Sequence, residues 1–182
     1  IRDRKILNTK IDGVFLIKPQ IIKDKRGYFF ESFNQKKMNE KIKVNFVQDN
    51  QSLSSKNILR GLHFQKPPFA QSKLVSVIQG SVLDVVVDIR NGSKTYGEYI
   101  LEELNDTNHH QLFIPKGMAH GFLTLKDRTI FSYKCSDFYH KDSEDAIVWN
   151  DPDIGIKWPN ISPILSEKYK NAKKFSSFVS PF

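Results

Sequence analysis

Between residues 13 and 135 the chain alternates apolar with polar positions, or runs through β-branched residues, in short stretches separated by turn residues. A repeat of two along the chain predicts strands rather than helices. Strands are expected over GVFLIK (13–18), GYFFESF (27–33), NILRGLHF (57–64), KLVSVIQ (73–79) and SVLDVVVDI (81–89). GEYILEEL (97–104), HQLFIP (110–115), AHGFLTL (119–125) and TIFSYKC (129–135) complete the set. QG at 79–80 and NGS at 91–93 supply turn chemistry. The spacing predicts one helix over NQKKMNEKI (34–42), capped by Asn34, with Met38 and Ile42 one turn apart. A second short helix is expected to begin at Ser166 and run through EKYKNAKK (167–174).

Many short strands without an internal repeat or a linker imply one all-β domain spanning 1–182. That means a barrel or a two-sheet jelly roll, with one or two short peripheral helices. Tyr28, Phe29, Phe30 and Phe33 make one segment bulky on both faces. A strand of that kind is covered on both sides, as when an N-terminal strand completes a partner's sheet. A dimer is therefore expected.

Composition narrows the partners. Hydrophobic residues make up 39% and charged residues 26%, the ordinary balance of a globular domain. No apolar run approaches the roughly 20 residues that span a bilayer, and IRDRKILNTKIDG does not resemble a signal peptide. No membrane partner is expected. Cys135 is the single cysteine, which excludes an intrachain disulfide and suggests a reducing, cytoplasmic setting. The net charge of +8 is scattered, with modest lysine clusters at 23–26, 36–37 and 170–174. No zinc spacing, helix-turn-helix or RNA-binding aromatic signature accompanies it, so an anionic small molecule such as a diphosphate is expected rather than a nucleic acid.

The stretch RGLHFQ (60–65) places Arg60 and His63 inside a strand. Regular alternation puts them on opposite faces, and Gly61 is where a bulge could re-aim one of them into a shared cavity. His120 follows a turn in IPKGMAHGF (114–122), and Tyr133 lies in the next strand. If those two strands form a hairpin through residues 126–129, Leu125 pairs with Ile130 and Phe122 faces Tyr133. His120 then lies diagonal to Tyr133 on the same face, whereas a three-residue connection would separate them. A metal is not expected: His63 and His120 lack a nearby third ligand, His109 and His110 are adjacent and point apart on a strand, and His140 sits in a charged loop. No hydrolase elbow or glycine-rich phosphate loop is present, and Cys135 looks like core, so neither a nucleophile nor a nucleotide cofactor is indicated. What remains is proton chemistry, with a histidine base, a tyrosine acid, and Lys73 and Arg60 to hold negative charge.

Several stretches together resemble the dTDP-4-dehydrorhamnose 3,5-epimerase family of cupin-fold sugar-nucleotide epimerases. They are DKRGYFFESF (24–33), FVQDNQSLS (46–54), NILRGLHFQ (57–65), KLVSVIQGSVLDVVVDIR (73–90), IPKGMAHGF (114–122), SYKCSDFY (132–139), SEDAIVWNDPDIGIKWP (143–159) and LSEK (165–168). The resemblance implies a cupin jelly roll in a homodimer with an exchanged N-terminal strand. It implies action on a nucleoside-diphosphate 4-keto-6-deoxy sugar, hexose or heptose, in surface-polysaccharide sugar biosynthesis. No metal or cofactor is needed, because the 4-keto group itself is the electron sink. His63 matches the family's base, Tyr133 the acid that reprotonates the opposite face, and Lys73 the enolate stabiliser. His120 matches a neighbouring substrate contact, and Gln48, Asn50, Arg60, Glu144 and Lys168 match others. Tyr139 matches a stacking partner for the nucleotide base. Arg26 and Glu31 match residues contributed to the nucleotide site, across the dimer.

One position departs. The family's LSEK motif usually ends in an aspartate that bonds the catalytic histidine, and here Tyr169 stands in that place. A neutral phenol stabilises an imidazolium less than a carboxylate does, so His63 is expected to be a weaker base. Asp84 is a candidate replacement for that partner, or a partner of His120. Met118, where an aromatic is usual, is a smaller change. The departure is compatible with inversion at a single carbon, with a different sugar, or with a protein that only binds. A 3,4-ketoisomerase of the same substrate class is the remaining enzymatic alternative.

Overall fold

Alternate side chains of the central strands enter two different cores, and this explains why a run such as SVLDVVVDI is apolar nearly throughout. A computed structural model describes residues 3–182. Among these residues there are thirteen strands, numbered along the chain. One sheet has six, in the order β1 (Lys5–Asn8), β2 (Phe15–Lys18), β10 (Gln111–Ile114), β7 (Lys73–Gln79), β12 (Thr129–Cys135) and β5 (Gln48–Ser54). The other has five: β13 (Glu144–Ala146), β6 (Leu59–Gln65), β11 (Met118–Thr124), β8 (Ser81–Asp88) and β9 (Tyr99–Asn105). β3 (Ile22–Asp24) and β4 (Gly27–Phe29) form a separate two-stranded ribbon.

The paired strands run antiparallel, and the two large sheets pack face to face. Val75, Val77, Leu112, Ile114 and Phe131 of one sheet meet Val82, Val86, Ile100, Leu104, Met118 and Phe122 of the other. The opposite face of the five-stranded sheet sends Leu62, Phe64, Val85, Val87 and Ala119 against Ile147, Ile154 and Phe178 of the C-terminal segment. The opposite face of the six-stranded sheet sends Ile17, Leu74 and Phe113 against Met38 and Ile42. Each such aliphatic or aromatic side chain contributes about 1.5–3 kcal/mol when fully buried.

The first helix, α1 (Gln35–Asn39), is shorter than the predicted span. The Asn34 side chain caps it, accepting from the Lys37 N–H at 3.1 Å. The Ile42 N–H still donates to the Met38 carbonyl at 2.7 Å, so both apolar residues reach one core. The second, α2 (Glu167–Lys170), is a single turn rather than a helix to residue 174. Beyond it the backbone of Lys173 bridges to Ile147, which draws the chain out of helical geometry.

Two further expectations are corrected. Strand structure in 27–33 stops at Phe29, and within the single chain Tyr28 and Phe29 are more than half exposed. Phe30 instead packs on His109 and Phe33 on Phe46. The expected hairpin between β11 and β12 does not form either. β11 is paired on both edges by β6 and β8, and β12 by β5 and β7, so neither has an edge for the other. The connection crosses between sheets. The rings nevertheless meet across the sandwich, with Phe122 stacked on Phe131 at 4.0 Å.

Candidate active site

The site begins with a single extra residue in β6. His63 lies opposite His120 and Arg60 opposite Phe122, so the step of three along β6 faces a step of two along β11. Gly61 absorbs the difference with φ +115°, in the region that favours glycine. A Cβ there would lie 2.6 Å from the Gly121 Cα and would collide with the His120 carbonyl oxygen. The bulge leaves Leu62 in the outer core and turns both Arg60 and His63 toward one cavity between the sheets.

Lys73, His120 and Tyr133 line the same cavity, and Phe122 and Phe131 give it an apolar wall. Gln48, Asn50, Tyr139, Glu144 and Tyr169 line it as well. Lys168 is joined to it through an ion pair with Glu144, Nζ to Oε1 at 2.5 Å. The Tyr139 hydroxyl donates to the other oxygen of Glu144 at 3.0 Å. Gln48 accepts from the Tyr139 N–H at 3.0 Å and donates to Asn50 at 3.2 Å. Arg60 donates to the Ser54 hydroxyl from Nε and Nη2, at 3.3 and 3.1 Å. Arg26 and Glu31 are not part of this cavity. Arg26 lies on the β3–β4 turn bonded to Asp24, and Glu31 pairs with Arg4 and Lys37.

The two imidazoles face each other edge to plane, 5.8 Å between centroids, in unlike surroundings. His120 Nε2 is 2.8 Å from Asp84 Oδ2, with both side chains buried. Asp84 therefore serves His120 and not His63. Burial raises the Asp84 carboxyl, opposed by His120. The partner of His63 is Tyr169, whose hydroxyl lies 3.5 Å from Nδ1 with the rings nearly parallel. Burial holds His63 well below the ordinary histidine range, and the charges of Lys73, His120, Lys168 and Arg60 push the same way.

Lys73 is 6% exposed, with its ammonium 5.5 Å from the centre of the Tyr133 ring. Burial lowers its pKa, against the pull of Cys135, Asp84 and Glu144. Burial raises Tyr133, opposed by a hydrogen bond from Asn50, so the phenol keeps its proton. Cys135 is fully buried and pushed up to about 11. Met118 packs in the inner core rather than lining this cavity.

Sequence reasoning missed Gln65 and Gln71 as cavity residues. Gln65 binds the Phe69 and Phe138 carbonyls and the His140 N–H, and Gln71 binds the Asp137 carbonyl, which ties two loops at the cavity. Gln65 is two residues from His63, so the strand repeat already put it on the same face. Among the described residues no three His, Cys, Asp or Glu side chains group so as to hold a metal ion. The polar groups are arranged instead for proton transfer beside fixed positive charge.

The family model described as dTDP-4-dehydrorhamnose 3,5-epimerase matches residues 8–177. The chain belongs to that family. A Shigella flexneri protein named dTDP-4-dehydrorhamnose 3,5-epimerase is 48% identical to it over 172 residues, 93% of this chain and 95% of the relative. Among solved structures, dTDP-6-deoxy-D-glucose-3,5-epimerase from Legionella pneumophila, in complex with dTDP-4-keto-L-rhamnose, is 46% identical. It superposes with a TM-score of 0.93 over 97% of this chain and 95% of the other. The Bacillus anthracis dTDP-4-dehydrorhamnose 3,5-epimerase, with TDP and PPi bound, gives 0.92 at 42% identity over 94% and 99%. The two-sheet fold of this epimerase-family chain is a cupin jelly roll.

Proposed function

We propose that this chain inverts C3, C5 or both in a nucleoside-diphosphate 4-keto-6-deoxy sugar, within the biosynthesis of surface deoxysugars. One observation carries the reading: His63, Lys73 and Tyr133, which match the family's base, enolate stabiliser and acid, line a single cavity. The ketone acidifies the hydrogen on the adjacent carbon. His63 takes that proton, and the electron pair moves to the C4 oxygen. A buried ammonium at Lys73 stabilises the developing negative charge far better than water would. Tyr133, whose proton is held by burial, then protonates the carbon from the opposite face.

Arg60 offers a guanidinium fork suited to diphosphate oxygens, and Lys168 adds charge nearby. Tyr139, 57% exposed, is available to stack on the nucleotide base. The names of the relatives support thymine as that base. The exposed Ile22, Tyr28 and Phe29, together with the distance of Arg26 and Glu31 from their own cavity, support a homodimer. In it the N-terminal segment is exchanged and brings Arg26 and Glu31 to the partner's nucleotide site. No helix among the described residues is long and apolar enough to cross a membrane, and the reading places the enzyme in the cytoplasm without a nucleic-acid partner or cofactor.

Inversion at a single carbon is a second reading, favoured by the phenol beside His63. A weaker base removes only the more acidic of the two hydrogens. Incubation with a dTDP-4-keto-6-deoxy sugar in D₂O separates the readings: deuterium at C3 and C5 supports double inversion, and at one carbon the second reading. Absence of exchange would refute both.

A further inference from the structure

The two imidazoles of the cavity differ in the one contact that decides how an imidazole handles protons. His120 faces a buried carboxylate at 2.8 Å, while His63 faces only the Tyr169 hydroxyl, 3.5 Å from Nδ1. A carboxylate can only accept, so it selects the tautomer that carries a proton on the nitrogen beside it. A phenol both donates and accepts. Between a neutral phenol and a neutral imidazole the phenol is the better donor and the unprotonated ring nitrogen the better acceptor.

Resting on the epimerase reading, we infer that Tyr169 is a positioning residue for His63. Its hydroxyl donates to Nδ1, which fixes the resting proton of His63 on Nε2 and leaves the ring without a countercharge. The base is then reached through a tautomer change. The Tyr169 hydroxyl turns to accept, solvent water in the open cavity takes the proton from Nε2 and returns one to Nδ1, and Nε2 is freed for the substrate proton. When Nε2 takes that proton, the electron pair goes to the ketone oxygen. The imidazolium that results has a neutral oxygen at Nδ1 instead of an anionic one.

The groups around His63 agree with this account. From β6, β7, β11 and α2 it faces Arg60, Lys73, His120 and Lys168, each of which disfavours its protonation. Tyr133 from β12 and Glu144 from β13 share the cavity, but Glu144 is occupied by Lys168 and Tyr139. Tyr169 itself is pushed up to about 12, first by burial and then by Glu144 and Tyr133, so it stays protonated and able to donate. Its ring lies almost parallel to that of His63, at 24° with centroids 5.8 Å apart, and its hydroxyl lies 3.5 Å from Nδ1.

The test is nitrogen-15 NMR of His63 in the substrate-free protein, for the parent chain, Tyr169→Phe and Tyr169→Asp, followed by deuterium exchange with a dTDP-4-keto-6-deoxy sugar. The parent is expected to show Nδ1 as a hydrogen-bonded acceptor and Nε2 protonated. Tyr169→Phe should lose that preference. Tyr169→Asp should move the proton to Nδ1 and raise the His63 pKa by about 1–3 units. It should also raise kcat for exchange without changing KM. Nδ1 protonated in the parent, or identical His63 shifts and titration in the parent and Tyr169→Phe, would overturn the inference. Tyr169→Phe removes one atom and decides the matter alone if the aspartate variant does not fold. Because the titration needs no substrate, a parent that shows the Tyr169 coupling but exchanges no hydrogen refutes the proposed activity and leaves this contact standing.

Discussion

At the scale of single residues, His63 is an imidazole kept neutral by its surroundings. The pKa of His63 is lowered, so the neutral, proton-accepting form persists as pH falls below the ordinary value of 6.5. The acid limb of kcat/KM for exchange should accordingly lie below 6.5, and a limb at or above it would contradict the burial argument. His63→Ala should abolish exchange at both carbons, whereas Tyr133→Phe should leave abstraction but impair inversion, a difference visible in deuterium content against product configuration. Asp84→Ala leaves the buried His120 ring without its partner. The expected loss is about 1–3 kcal/mol of stability, read from urea unfolding.

At the scale of elements, the bulge in β6 is the device that makes the site. Gly61→Ala sets a methyl group against the β11 backbone at a positive φ, and it should lower stability by about 1–3 kcal/mol. Exchange should fall far more than stability, because Arg60 and His63 can no longer share a face. Much of this was legible in the sequence: the alternation located the main strands, and Gly61 between Arg60 and His63 marked the irregularity. The polar β5 was not recognised as a strand from the pattern alone, because its inward residues Gln48, Asn50 and Ser52 line a cavity instead of a core. The hairpin was misread for a related reason. Two consecutive strands with a short connection look alike whether they pair or separate into facing sheets, and only the competition for edges from β5, β6, β7 and β8 decides it. The role of Asp84 followed from distance, which the strand repeat does not supply.

At the scale of the molecule, buried titratable groups shape the dependence of stability on pH. His63 has a lowered folded pKa, so its contribution is intact above 6.5 and is lost as pH falls below it. Cys135 is raised from 9.0 to about 11, so its contribution is intact below 9 and is lost as pH rises toward about 11. Cys135→Ala should flatten the alkaline limb of stability across that interval, where one proton corresponds to a slope of up to about 1.4 kcal/mol per pH unit. An unchanged slope would show that the thiol titrates alike in both states. The proposed dimer is checked by sedimentation, with aspartate in place of the exposed Tyr28 and Phe29 expected to yield monomers that bind nucleotide weakly.

The central claim is that an imidazole and a phenol work on carbons next to a ketone that stays in place. The most direct measurement is NMR of the product formed from a dTDP-4-keto-6-deoxy sugar in D₂O. Deuterium at an inverted C3 or C5, with the carbonyl still at C4, is expected. A carbonyl relocated to C3, or a substrate recovered without deuterium, would contradict it.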